Sequence, residues 1–392
     1  MREVVIVSAC RTPVGSFQGV LSSLSALDLG RIAMLEAIRR AGLTGGEVDE
    51  VIMGNVLPAG LGQNPARQAM LRAGLPFEVG ALTVNKVCGS GLKAVMLAAQ
   101  AVSSGDADTV VAGGMESMSN APYLLLGART GYRMGHAKTV DAMIHDGLWD
   151  HINDFHMGMS AELCAEKYGV SREDQDAFSL VSYKKSLAAR DQGRFSEQIV
   201  PVEIPQRKGE PLVVSEDEGI RDSSPEMLAR LRPVFKKDGS VTAGNASSLN
   251  DGAAAVVVMS GERARELGIT PLVRVGAQGA AGIDPKYVLV APINSIPKVC
   301  RKQGIDPKEV EIMEVNEAFA ASSVAVQRTL GLDPERINPY GGAIAIGHPI
   351  GASGARVLTT LIYAMKDQNA ANGMASLCLG GGEAVSLFLE NL

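Results

Sequence analysis

Apolar positions along the chain recur with a period of two in some stretches and between three and four in others, and the two kinds alternate. Val4 to Val7 reads as a strand, and Ser25 with Asp28 three residues later marks a helix start that runs to about Gly42. Val51 to Asn55 is a second strand, Asn64 to Ala73 a short helix, and Ala81 to Val84 leads into a turn. After that turn Leu92, Val95, Met96, Ala99 and Val102 follow at helical spacing until Gly105. Asp108 to Gly114 is then a strand that ends in glycines. Strands alternating with helices predict an α/β layered fold.

The second half replays this order. Val310 to Asn316 lines up with Asp49 to Asn55, Gly341 to Val357 falls where Asn85 to Val95 fell, and Ala375 to Glu383 matches Thr109 to Glu116. Asn316 lies 261 residues after Asn55, His348 lies 260 after Cys88, and Gly381 lies 267 after Gly114. Order and near-constant spacing predict a duplicated domain. The halves are read as residues 1–118, completed by about 250–270, and residues 271–392. Residues 119–249 differ in composition, with turn-rich stretches at 207–212 and 215–219, and read as an inserted loop domain with a few helices such as Ser171 to Gln192.

With 392 residues and 46 % hydrophobic content the chain builds a large core. A net charge of −6 argues against nucleic acid as the main partner, since phosphate neutralisation needs a basic excess. The five cysteines, Cys10, Cys88, Cys164, Cys300 and Cys378, are odd in number and lack C-x-x-C spacing, which indicates neither a disulfide framework nor a metal site. His136, His145, His151 and His156 lack metal-ligand spacing and read as loop residues, His156 being the possible exception. No signal peptide or membrane span is visible, the densest apolar run being about Ala253 to Met259, so a soluble cytoplasmic protein is expected.

Candidate chemistry centres on Cys88, placed where an extended segment becomes a helix. Free N–H groups and the helix dipole there favour a thiolate, and Gly89 and Gly91 let another molecule approach. On these residues alone, a buried structural cysteine in a seam of small residues is the alternative. The matching loop of the second half carries His348, and Cys378 stands beside Gly380-Gly381-Gly382 on what reads as the last strand. Together these suit acyl transfer through a thioester. Cys88 attacks, His348 takes its proton, and backbone N–H groups at Cys88 and Gly380 hold the oxyanion.

The stretches NKVCGSGLKAV, VNEAFAAS, GGAIAIGHPIGASGARV and CLGGG, with SACRTPVGSF near the start and AGNASSLNDGAAA at 243–255, resemble the thiolase family over essentially the whole chain. The resemblance implies a thiolase-like duplicated α/β/α layered fold of two similar halves. It implies condensation of two acetyl-CoA into acetoacetyl-CoA and the reverse thiolysis, or alternatively a degradative 3-ketoacyl-CoA thiolase for longer chains. It also implies that Cys378 is the acid/base at the α-carbon and that Asn316 positions a water in the oxyanion hole. The insertion would hold coenzyme A, with Arg221, Ser247 and Ala243 near its nucleotide and pantetheine parts, and His156, Met157 and Phe319 near the thioester. No permanently bound cofactor is implied, and a homotetramer is, in keeping with the apolar run Tyr123 to Leu126.

Three departures bear on these expectations. Glu383 follows the glycines and would raise the pKa of Cys378 by like charge. Tyr287 to Ala291 replaces a stretch that commonly holds Met and two Gly, so that Val288 opens room in the acyl pocket. Pro339-Tyr340 stands where relatives have a small or β-branched residue and Asn.

Overall fold

The computed structural model describes residues 2–392. One mixed sheet is built from β1 (Val4–Arg11), β2 (Glu50–Gly54), β3 (Gly80–Val84), β4 (Thr109–Ser117), β5 (Asn250–Ser260), β6 (Val273–Gly282), β7 (Ile312–Val315), β8 (Asn372–Leu379) and β9 (Glu383–Glu390). The spatial order is β7-β8-β9-β6-β1-β5-β4-β2-β3, with Gly15–Ser16 paired to β5. The longer helices are α1 (Ala26–Arg40), α2 (Pro65–Arg72), α3 (Ser90–Ser104), α4 (Met157–Tyr168), α5 (Arg172–Asp191), α6 (Pro292–Gln303), α7 (Ala320–Leu330) and α8 (Ser353–Gln368).

The sheet order shows the duplication. From β1 outward the pairings run antiparallel to β5, antiparallel to β4, then parallel to β2 and parallel to β3. From β6 outward they run antiparallel to β9, antiparallel to β8, then parallel to β7, and a parallel bridge from Met313 to Ile337 stands where β3 stood. The two halves meet through the antiparallel pairs Val5 with Arg274 and Ile6 with Val273.

Register corrects two of the sequence offsets. Gly54 pairs with Gly114 and Val315 with Ser376, so the halves superpose 261 to 262 residues apart, and Cys378 corresponds to Glu116. The spacing of 267 came from aligning glycines that occupy different places. Gly113 and Gly114 lie inside β4, where a Cβ would come within 2.1 Å of the Ala254 and Gly351 carbonyl oxygens respectively, whereas Gly380 to Gly382 form the turn between β8 and β9. Glycine therefore continues the first strand because backbone packs against it. Nor is β8 the last strand, since β9 follows it.

Side chains alternate between faces, as strand geometry dictates. Ile6, Ala9, Val256 and Val258 pack with α3 and α8 and with Leu377, Leu379, Val385 and Leu387 of the other half. Val5, Val7, Val257 and Met259 face the opposite way, against α1 and α2. On the far face of the second half Met374, Cys378 and Phe388 pack with α4, α6 and α7. The layers are thus helix, half-sheet, the central pair α3 and α8, half-sheet and helix. From Ser353 to Met365 every residue of α8 is buried, as a helix in a central layer must be.

Local signals place the ends of several helices. Ser25 and Asp28 form a capping box on α1, Ser171 and Asp174 do the same on α5, and Asn64 caps α2. Residues 119–249 hold α4, α5, the short helix Pro225–Ala229 and several two- or three-residue strand pairs. Among the described residues, no helix is long and apolar enough to cross a membrane.

The central helices approach through glycine. A Cβ on Gly91 would lie 2.7 Å from Ala355 N, and one on Gly354 would lie 2.2 Å from Leu92 N. These contacts are reciprocal at a spacing of 263, which is also the spacing of the helix starts Ser90 and Ser353. Cys88 therefore corresponds to Gly351, and His348 to Asn85, so the two reactive residues share a neighbourhood without sharing a repeat position. Gly354→Ala is expected to destabilise by about 3 kcal/mol or more, because backbone rather than a movable side chain stands in the way. Gly46→Ala, whose nearest neighbour would be 4.0 Å away, serves as the control. Equal denaturation midpoints for the two variants would refute the close crossing.

Candidate active site

Local hydrogen bonds fold the link between β3 and α3 into a tight turn. Asn85 Oδ1 accepts from Val87 N at 3.0 Å, and Ser90 Oγ accepts from Lys86 N at 2.8 Å while donating to the Val87 carbonyl at 2.6 Å. Val87 has φ +47°, a left-handed conformation that costs a β-branched residue about 1–3 kcal/mol. The turn sets Cys88, half-buried, on the wall of a cavity of about 470 Å³. His348, Cys378 and Gly380 stand on the same wall.

His348 is fixed from two sides. Its backbone N–H donates to Asn250 Oδ1 at 2.7 Å, and its Nδ1 lies 2.6 Å from Ser353 Oγ. Ser353 donates its one proton to the Pro349 carbonyl at 2.8 Å, and that carbonyl can only accept. Nδ1 must then carry the ring proton, which leaves Nε2 with a free lone pair. Nε2 is buried with no protein hydrogen-bond partner. The same holds for both polar atoms of the Asn316 amide, which follows β7 and donates its backbone N–H to the Ser376 carbonyl at 3.0 Å. Asn316 is not itself part of the cavity wall.

Burial dominates the electrostatics. It pushes the Cys88 thiol up to about 11, against the opposing pull of the Gly380 N–H and its own N–H on the sulfur. Cys378 is raised as well, first by burial and then by the neighbouring Cys88 and Cys164 sulfurs. Burial, with Arg356 nearby, drives His348 down to about 3. Desolvation thus outweighs the pull of these N–H groups, which favours a neutral thiol over the expected thiolate. Cysteine and histidine rest as a neutral pair.

Comparison with known proteins identifies the family. The family description "Thiolase, N-terminal domain" matches residues 4–262, and "Thiolase, C-terminal domain" matches residues 269–391. The chain belongs to the thiolase family. It is 56 % identical over 390 residues to an acetyl-CoA acetyltransferase of Pseudomonas aeruginosa, covering 99 % of each chain. It is 54 % identical over 391 residues to an acetyl-CoA acetyltransferase of Cupriavidus necator, covering 100 % of each. The crystal structure of the Bacillus anthracis acetyl-CoA acetyltransferase superposes with a TM-score of 0.98 at 43 % identity, covering 100 % of this chain and 99 % of that one.

The residues that the thiolase resemblance singled out beyond the reactive trio also reach the cavity: His156, Met157, Arg221, Ala243, Ser247 and Phe319 all line it. His156 caps α4, its Nδ1 accepting from Gly158 N at 3.0 Å, and its ring stacks on Phe235 with centroids 4.7 Å apart. A neutral ring so held carries its proton on Nε2. Arg221 lies over the Tyr183 ring and donates to its hydroxyl at 3.3 Å. Ser247 N donates to the Ala318 carbonyl at 3.0 Å, which ties this loop to the one carrying Phe319. The other histidines stand apart from the cavity wall, and His136 and His151 are exposed. Among the described residues no cluster of His, Cys, Asp or Glu is arranged to hold a metal.

Two of the three departures do not act as expected. Glu383 pairs with Lys86 and is partly exposed, and it is not among the groups acting on Cys378. Val288 is buried off the cavity wall, and Leu289 lines it instead. The 3₁₀ segment Pro285–Val290 that carries both is kinked at Tyr287, which has non-helical angles of −111° and 22°. Tyr340 is buried away from the cavity, its hydroxyl donating to Asp367 at 2.6 Å.

Sequence reasoning passed over two buried carboxylates. Glu116 accepts from Val56 N at 3.0 Å, Gly351 N at 2.9 Å and Asn55 Nδ2 at 2.8 Å, joining the loop after β2 to the loop before α8. Glu317 accepts from Ser182 Oγ at 2.7 Å, Asn338 Nδ2 at 2.8 Å and Ile344 N at 3.3 Å, joining the insertion to the loop that leads to His348. An acidic residue inside an apolar run was the available signal.

A neutral resting thiol has a measurable signature. Alkylation of Cys88 in the free enzyme by iodoacetamide should still accelerate with pH above the ~8.5 of an ordinary thiol. A rate that levels off near neutrality would contradict the neutral pair.

Proposed function

We propose that this thiolase condenses two acetyl-CoA molecules into acetoacetyl-CoA and coenzyme A, and catalyses the reverse thiolysis. The observation that carries the reading is the convergence of Cys88, His348, Cys378 and Gly380 on one cavity. Cys88 Sγ attacks the thioester carbonyl as its proton passes to His348 Nε2, and the N–H groups of Cys88 and Gly380 hold the oxyanion. The coenzyme A sulfur leaves as a thiolate, which afterwards takes the proton of Cys378. The Cys378 thiolate then takes an α-proton from the second acetyl-CoA, and the enolate carbon attacks acetyl-Cys88. As the Cys88 sulfur departs, His348 returns its proton, so every group ends as it began. The buried Asn316 amide, with both polar atoms free of protein partners, suits an ordered water that hydrogen-bonds the enolate oxygen.

These steps use side chains and backbone only, with coenzyme A thioesters as substrates and no resident cofactor. Arg221, Ala243 and Ser247 are read as coenzyme A contacts, and His156, Met157 and Phe319 as thioester contacts. The five cysteines are unpaired, which supports a reducing, cytoplasmic setting. Tyr123, Leu125, Leu126, Tyr132 and Met134 are exposed on the insertion, and Met134 is 97 % accessible. Covering them by other subunits supports a homotetramer. Light scattering should give four times the chain mass of 41.0 kDa, and a monomeric mass would overturn the assembly.

The division of labour is open to direct test. Cys88→Ala should abolish condensation and thiolysis, with no acetyl group retained after incubation with acetyl-CoA. Cys378→Ala should still acetylate Cys88 while condensation falls by at least about 10³-fold. Equal loss of acetylation in both variants would contradict separate roles.

Chain length follows from the cavity wall. Met157, Phe319 and Leu289 line it, and each badly fitting insertion costs about 1–3 kcal/mol. Thiolysis should favour acetoacetyl-CoA, tolerate one or two further carbons and reject a ten-carbon 3-ketoacyl-CoA. Equal kcat/KM for the shortest and longest substrates would move the enzyme to the degradative class.

A further inference from the structure

Gly380, which lines the cavity beside Cys88 and whose N–H draws on its thiol, lies in a turn that is by composition among the least constrained in the chain. Gly380, Gly381 and Gly382 run in succession, the last two at φ +90° and +94°, and glycine loses more conformational freedom on ordering than any other residue. Two contacts hold this turn at its far end and its start. Ile283 N donates to the Gly382 carbonyl at 2.8 Å, and Val87 Cγ1 lies 3.1 Å from where a Cβ on Gly380 would sit. A third contact crosses directly between the two reactive loops. Lys86, two residues before Cys88, forms an ion pair with Glu383, the first residue of β9, immediately after the glycines.

We propose that the Lys86–Glu383 pair is a positioning clamp that locks the tri-glycine turn to the Cys88 turn and so sets the Gly380 N–H on the reacting centre. Neither side chain lines the cavity, so the pair acts through the loops that it joins. Three features converge on this role. Lys86 is itself fixed through its backbone N–H on Ser90 Oγ at 2.8 Å, so the base of its side chain is anchored to the start of α3. Val87, between Lys86 and Cys88, holds the strained φ of +47°, which needs surrounding contacts to persist. The Lys86 and Glu383 side chains are 24 % and 46 % exposed, and an ion pair so exposed adds little to global stability, which leaves geometry as its main effect.

This rests on Gly380 being the oxyanion donor, and the test separates the two claims. The titratable and charged groups around the Cys88 thiol are Glu116 on β4, His348 before α8, Cys378 on β8, His156 before α4, Arg221 across the cavity, and Lys86 and Lys93 on its own side of the site. Lys86→Met and Glu383→Gln are measured for thiolysis, for Cys88 alkylation at one fixed pH and for thermal midpoint, beside the exchange Lys86→Glu with Glu383→Lys. Both single variants should lose about tenfold in kcat with KM changed by no more than about twofold. Both should also slow alkylation by about threefold or more, because the thiolate loses a donor. Thermal midpoints should stay put, and the exchange should recover most of both losses. A pair acting only through its charges gives opposite signs instead, since removing the cation slows ionisation of the thiol and removing the anion assists it. Opposite signs, or unchanged kcat and alkylation in both variants, would overturn the clamp. Slower alkylation in both with kcat intact would uphold the clamp and overturn Gly380 as the oxyanion donor.

Discussion

The contact on which the rest of the molecule depends is the crossing of α3 and α8 at Gly91 and Gly354. Two helices this close exclude side chains from the crossing, so the starts of both helices, and the loops leading into them, are brought to one place. One loop carries Cys88 and the other carries His348. Glu116 adds a second constraint by accepting from the loop before α8 and from the loop after β2. Its own pKa is pushed up to about 7 by burial, a cost borne for the sake of fixing two loops against each other.

Burial then decides the chemistry that this geometry can perform. An exposed cysteine at a helix start would ionise readily, but the protein around Cys88 makes a lone thiolate expensive. In the mechanism we propose, attack and proton transfer then proceed together, with the proton moving to an imidazole whose tautomer Ser353 has already fixed.

Much of this was legible in the sequence where the governing interactions are local. Ser25 with Asp28 and Ser171 with Asp174 announce helix starts because a capping box closes within four residues. The duplication was legible because strand and helix periods repeat. What escaped depended on contacts between distant segments. Gly113 and Gly114 looked like a strand's end, and only the approach of Ala254 and Gly351 shows why glycine continues it. Val288 and Leu289 are neighbours in sequence, yet only Leu289 lines the cavity, in a segment kinked at Tyr287. The register that makes Cys378 the counterpart of Glu116 in the other half lies in hydrogen bonds between strands, beyond the reach of residue identities. Nothing in the letters announces a valine at positive φ, since that residue type disfavours it.

The way the two repeats share their central layer has a consequence for inheritance. α3 belongs to the first half and α8 to the second, yet both pack on the inner faces of both half-sheets. Each repeat supplies a layer that the other lacks, while the strands themselves join through only a short seam at β1 and β6. The ancestral single repeat would have had to find a second copy of itself to cover that face. Once fused, neither half was free to drift alone: a substitution on one central helix is judged by side chains encoded some 260 positions away. The repeats are thus duplicated in shape but not modular in evolution, and recombination that replaced one half would break the interior of the other.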